Sequence, residues 1–186
     1  LVPRPSSLLL LPELLAFCRT RRVGRFKLPN VRIDARFCRS AAERLGPADV
    51  ERLKSRLAPD PAGQRAGVNL EIHDLFLWEL LYPSGGEGRG EYGGCQAANS
   101  LGHVDADGWL HPCSSWPLRL GSLLEQGVAE IWSSPGRMAV REEIAAVPAA
   151  CLGCRDYPLC LGGCRGLARV VNGHPAGRDP LCPAPR

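Results

Sequence analysis

Four cysteines, Cys151, Cys154, Cys160 and Cys164, fall within the fourteen residues "CLGCRDYPLCLGGC", in the spacing C-x2-C-x5-C-x3-C. No other feature of the 186-residue chain restricts its fold so strongly, because thiols this close together are there to be cross-linked or to hold metal. Cys95, Cys113 and Cys182 lie in the same half, so seven of the nine cysteines stand between residues 95 and 182. Disulfides want an oxidising compartment and an even count, and seven thiols without a convincing export signal offer neither. Zinc prefers paired C-x2-C knuckles; only Cys151 and Cys154 make one, although Cys160 and Cys164 complete a four-thiolate set. Iron-sulfur clusters take four thiolates each, and in two-cluster proteins the last cysteine of a compact run can serve the other cluster. Seven thiols are one short of two filled clusters. Gly153, Gly162 and Gly163, set between the candidate ligands, let the backbone approach a metal or sulfide closely, or simply make tight turns.

The rest of the chain can supply a core, with 45% hydrophobic residues. Its net charge of +4 comes from 23 basic and 19 acidic residues without a basic block, which argues against nucleic acid as a partner. The most apolar stretch, "SLLLLPELLAF", is broken by Pro12 and Glu13, too short for a membrane span and without a clear cleavage site for an export signal. Residues 1–83 read as alternating helix and strand. A helix over "SSLLLLPELLAFCRTRR" is expected to be capped by its serines, followed by an extended "RFKLPNVRI". A second helix starts at Pro47 with Val50, Leu53 and Leu57 on one side, and "VNLEIHDLFLWELL" changes from strand to helix near Asp74 or Leu75. This alternation predicts an α/β fold, a piece of an α/β layer or of a (βα) barrel-like module.

Residues 84–94, "SGGEGRGEYGG", hold six glycines in eleven positions and read as a linker. Residues 95–186 then form a small α+β domain. Three short helices are expected there: "GVAEIWSS" with Val128, Ile131 and Trp132 inward, "PGRMAVREEIAAV" with Val140, Ile144 and Val147 inward, and "RGLARVVNG" closed by Gly173. Cys18 and Cys38, twenty residues apart, read as small buried residues.

The order Cys95, twelve residues, Gly108, four residues, Cys113, then "CLGCRDYPLCLGGC" and finally Cys182 resembles the seven-cysteine signature of the SPASM domain. This is the auxiliary iron-sulfur module of many radical S-adenosylmethionine enzymes that modify peptides and proteins. "HVDADGWLHPC" resembles the family's D-x-D-G-x-x-x-P-C hairpin, "LGSLLEQGVAEIWSS" its G-N-L-x-E-x-x-x-E-I-W-x-S segment and "GRDPLC" its closing D-P-x-C, so the likeness covers about residues 92–184. It implies two [4Fe-4S] clusters, one held by Cys151, Cys154, Cys160 and Cys182, the other by Cys95, Cys113 and Cys164. Some relatives carry an extra cysteine between the positions of Cys95 and Cys113; here there is none, which implies an open or non-cysteine fourth site. His103, Asp105, Asp107 and His111 are the nearest polar candidates, and each also has a plain role in a hairpin turn or at its surface.

The N-terminal half resembles the last βα units of the partial barrel of radical S-adenosylmethionine enzymes, but their C-x3-C-x2-C loop does not occur in this sequence. The resemblance therefore implies no catalytic residue in this chain and no binding of S-adenosylmethionine by it alone. It implies an electron-transfer or substrate-positioning role, either as a stand-alone SPASM protein, such as that of the GeoRSP system, or as the C-terminal part of a complete maturase. A zinc-held interaction module is the alternative from another class. The partners expected are a radical enzyme and a precursor peptide, not nucleic acid or membrane, in the reducing cytoplasm that oxygen-labile clusters require.

Overall fold

The computed structural model describes residues 1–29, 45–57, 67–81, 94–174 and 176–183. The chain divides into two compact units, Leu1–Arg89 with Pro180–Ala184, and Gly90–Asp179 with Pro185–Arg186. The linker expected over 84–94 lies, except for Gly94, outside the described residues, and so does Cys38.

The first unit opens with two helices where a single one is expected, α1 (Pro5–Leu8) and α2 (Leu11–Thr20). Pro12 is the cause. It has no N–H to give the carbonyl of Leu8, and its ring would crowd that carbonyl, so the helix stops and restarts with Pro12 in its first turn. The serines do not occupy the cap: Arg4 does, and Ser7, inside α1, accepts the Arg4 N–H at 3.0 Å.

Strand β1 (Arg25–Leu28) pairs in parallel with β2 (Asn69–Ile72), Arg25 opposite Asn69 and Leu28 opposite Ile72. Helix α3 (Pro47–Arg56) lies between them in sequence, with Pro47 in its first turn, so the three make a βαβ crossover. Helix α4 (Leu75–Leu81) follows β2 after two residues; Asp74 starts it by accepting the N–H groups of Phe76 and Leu77 at 2.9 and 3.0 Å. Leu8, Leu11, Leu15, Leu28, Leu53 and Leu77 are fully buried in one apolar cluster, which Cys18 joins. The unit is α/β, and its two paired strands form no closed barrel among the described residues.

The second unit is built around a three-stranded antiparallel sheet of β3 (His103–Val104), β4 (Trp109–His111) and β5 (Gly121–Ser122) in sequence order. Five short helical elements follow: α5 (Val128–Trp132), α6 (Pro135–Ala145), a 3-10 turn (Ala149–Cys151), α7 (Tyr157–Cys160) and α8 (Arg165–Asn172). Gly173, left-handed at φ 74°, ends α8 as its position predicts. The apolar faces of α5 and α6 are narrower than expected. Ile131, Val140 and Ile144 are buried, whereas Val128 and Val147 are exposed. Helix α5 is only five residues long, and Val147 lies beyond the point where Ala146 turns extended. Among the described residues no helix is long and apolar enough to cross a membrane.

Candidate metal centre

The thiols of the second unit fall into two triads, recognisable by which charges oppose one another. In the first, burial pushes the Cys164 thiol well above its usual range; the Asp179 carboxylate, then Cys95 and Cys113, push it further. Cys113 is likewise raised, by burial first and by Cys95 after it, while the backbone N–H groups of Ser115 and Trp116 favour its thiolate. In the second triad burial raises Cys151, with Cys160 and Cys154 adding to it, and burial raises Cys160, with Cys154 and Asp179 adding to it. The N–H of Gly162 opposes the shift at Cys160, and the N–H of Leu167 opposes it at Cys164.

The triads are separated within the cysteine run itself. Helix α7 ends at Cys160, and the next three residues, Leu161, Gly162 and Gly163, are all left-handed, at φ 47°, 82° and 65°. Three such residues in succession reverse the chain before Cys164 enters α8. Asp179 holds the reversed segment, its Oδ2 accepting the Cys164 N–H at 2.6 Å. A Cβ on Gly163 would lie 2.7 Å from that oxygen, so the second glycine is required both by its φ and by the approach of the carboxylate. Helix α8 then passes tightly over Cys113: a Cβ on Gly166 would stand 3.1 Å from the Ser115 carbonyl and 3.4 Å from the Cys113 sulfur.

Around Cys95 the backbone is held by arginines of α6. Arg141 donates to the carbonyls of Cys95 and Ala97 at 2.8 and 3.1 Å, and Arg137 donates to that of Ala98 at 2.7 Å. Trp116, Val140, Ile144, Ala97 and Ala98 form the apolar cluster against which Cys95 and Cys113 pack. These arginines, Trp116 and the role of Asp179 are not found by reading the sequence. The "GRDPLC" match contains Asp179 but says nothing of what its carboxylate does, and a long arginine side chain leaves no periodic trace.

The four polar residues near Cys113 have local tasks. Asp105 makes the hairpin turn, its Oδ1 accepting the N–H groups of Asp107 and Trp109 at 3.0 and 2.9 Å, and its Oδ2 lies 2.9 Å from His111 Nε2. That contact with His111, then the Trp109 N–H, keeps the Asp105 carboxyl below its ordinary value. Asp107 is exposed in the turn, and His103 stands opposite His111 with ring centroids 6.1 Å apart. Cys182 is part of the segment Pro180–Ala184 that groups with the first unit.

The donor set suits iron-sulfur clusters. Buried thiols that raise one another carry negative charge only when cationic metal compensates it, and backbone N–H groups aimed at sulfur are a common feature of such sites. Among the described residues no three His, Cys, Asp or Glu side chains converge as ligands around a single ion. The indole Nε1 of Trp116, buried beside the first triad, has no hydrogen-bond partner among the described residues.

Residues 95–155 match the SPASM family, described as an iron-sulfur cluster-binding domain. Among curated proteins no relative matches. Three solved structures share the fold. Native anSMEcpe with bound AdoMet is 17% identical at a TM-score of 0.65, over 97% of this chain and 50% of that one. The same protein with bound AdoMet and the Cp18Cys peptide gives 17% and 0.63, over 97% and 51%. SuiB of Streptococcus suis bound to S-adenosylmethionine gives 20% and 0.60, over 91% and 40%. The chain thus spans about half the length of the solved structures it matches.

Proposed function

We infer that this chain, matched over residues 95–155 by the SPASM family, binds two [4Fe-4S] clusters and serves a radical S-adenosylmethionine system that modifies a peptide or protein. One cluster is held by Cys95, Cys113 and Cys164 with its fourth position open, the other by Cys151, Cys154, Cys160 and Cys182. The observation that carries this reading is the separation of the run at Leu161–Gly163: Cys160 ends α7, whereas Cys164 leads into α8, which passes closely over the Cys113 sulfur at Gly166. When bound, the clusters supply one-electron carriers whose potentials follow burial, charge and hydrogen bonds to sulfur. The chain's own residues do the rest. Arg137 and Arg141 fix the Cys95 loop, Asp179 fixes the entry to α8, and Ser115, Trp116, Gly162 and Leu167 direct N–H groups at ligand sulfurs.

The βαβ unit of residues 1–83 supports a barrel-like region, with 84–94 as linker and 95–186 as cluster domain. The bound peptide in one solved structure of the same fold supports a peptide partner; the cytoplasm is the proposed setting because oxygen-labile clusters require a reducing compartment. No residue of this chain is assigned a catalytic step, and the chain alone is expected neither to bind nor to cleave S-adenosylmethionine.

Anaerobic reconstitution tests the reading. The chain should turn brown and hold about eight iron and eight sulfide. Cys164→Ala should lose the cluster of Cys95 and Cys113 and keep the other; the double variant Cys151→Ala with Cys154→Ala, which leaves two thiols, should do the reverse. A colourless protein carrying one or two zinc ions, or a pair of variants that each lose both clusters, overturns it. Formation of 5′-deoxyadenosine by the reconstituted chain alone overturns the accessory role.

A further inference from the structure

Trp116 is 2% exposed, and its buried indole Nε1 has no hydrogen-bond partner among the described residues. A buried donor left unpaired carries its full desolvation cost. The apolar cluster of Trp116 contains Ala97, Ala98, Val140 and Ile144, with Leu120 and the thiol residues Cys95 and Cys113 packed against it. Neither sulfur accepts a hydrogen bond from the indole nitrogen. A group held by the adjoining triad would bring an acceptor to this side of the cluster.

We propose that the indole N–H of Trp116 donates a hydrogen bond to a sulfur of the cluster bound by Cys95, Cys113 and Cys164, and thereby sets that cluster's potential; this rests on the two-cluster reading above. The surroundings strengthen the donor. The Arg169 guanidinium lies 5.7 Å from the ring centroid of Trp116, and both Glu143 oxygens grip it, at 2.6 and 2.7 Å. A cation over the ring withdraws electron density from the indole and makes its N–H more acidic. An N–H to sulfur bond stabilises the more negative, reduced cluster more than the oxidised one, so it raises the potential. Trp116 is a positioning and tuning residue in this account and carries out no chemistry itself.

The test uses the full chain, reconstituted anaerobically, with Cys151→Ala and Cys154→Ala combined so that only this cluster is present. Trp116→Phe keeps the ring under Arg169 and removes the donor. Iron and sulfide should be unchanged, the midpoint potential in an EPR-monitored titration should fall, and the shift of iron-sulfur stretching bands on transfer to D2O should shrink. A loaded Trp116→Phe cluster with unaltered potential and unaltered deuterium shift overturns the proposal. Should Trp116→Phe fail to load, indole-15N tryptophan supplies a second readout: a hyperfine coupling to the reduced cluster that survives Trp109→Phe and Trp132→Phe supports it, and no coupling overturns it. A wild-type chain that binds no iron overturns the underlying two-cluster reading, which distinguishes that failure from this one.

Discussion

Asp74 shows how one carboxyl can be pulled in two directions. It is 5% exposed between β2 and α4, and burial raises its pKa from 3.8 to about 6, against the N–H groups of Leu77 and Phe76 that favour the charged form. Burial wins. Because the folded value lies above the unfolded one, this group's contribution to stability is complete below about pH 4 and is lost as pH rises through about 6. The first unit should therefore show larger protection factors, referred to the intrinsic exchange rate at each pH, at pH 5 than at pH 7.5. Asp74→Asn, which keeps the accepting oxygen, should flatten that dependence and slow exchange at pH 7.5, while the wild-type carboxyl 13C resonance should titrate near pH 6. A midpoint near 4 would contradict the argument. A second residue-scale test contrasts two left-handed glycines. Gly153→Ala, at φ 75° in open space, should cost about 1 kcal/mol. Gly163→Ala adds a Cβ 2.7 Å from Asp179 Oδ2, so it should cost more and halve the bound iron through loss of the Cys164 cluster.

At the scale of elements, α6 is the brace of the candidate centre. Ser134 caps it, accepting the Arg137 N–H at 3.2 Å, and from the same helix Arg137 and Arg141 reach three backbone carbonyls of the Cys95 loop. Ser134→Ala should lower stability by about 1 kcal/mol, as loss of a cap does, leaving cluster content intact. Arg141→Ala strips the Cys95 and Ala97 carbonyls of their donor, so amide exchange should quicken over 95–98 and the cluster of Cys95 should become more labile to chelator. Equal lability of both clusters would show that the brace is not local. The helix itself is legible in the sequence, from Pro135 and the spacing of Val140 and Ile144, as are the hairpin at Asp105–Gly108 and the Gly173 cap. What it does for Cys95 is not legible, because an arginine that reaches across the fold to a carbonyl obeys no periodicity. The broken first helix was legible in Pro12 but is outweighed, on reading, by the continuous leucine pattern around it. The candidate ligands stand out by spacing alone, while Trp116 and Asp179 gain their significance only from burial.

The two units of the molecule differ in how they are held together. The first buries Leu8, Leu11, Leu15, Leu28, Leu53, Leu70, Ile72, Leu77 and Leu81 in one cluster, an apolar core sufficient for a small α/β layer. The second has Ala97, Ala98, Trp116, Val140 and Ile144 in its cluster, two of them alanines, with the thiols Cys95 and Cys113 packed against it, and buries Leu110, Ile131, Leu167 and Ala168 outside that cluster. A domain whose apolar core is divided in this way gains from another source of stability, and metal that binds only the folded thiol arrangement supplies it by mass action. Stripping iron with a chelator under reducing, oxygen-free conditions should therefore act unequally. Hydrogen exchange should rise sharply across 94–174, most of all in α7 and α8, which carry or adjoin Cys160 and Cys164. Protection in α2, α3 and α4 should persist, because their leucines bury one another and none of these helices carries a proposed ligand. A uniform rise over both units would mean that metal stabilises the first unit as well, and no change in 94–174 would mean that the small core suffices alone. The unequal response is the result that the distribution of apolar residues requires.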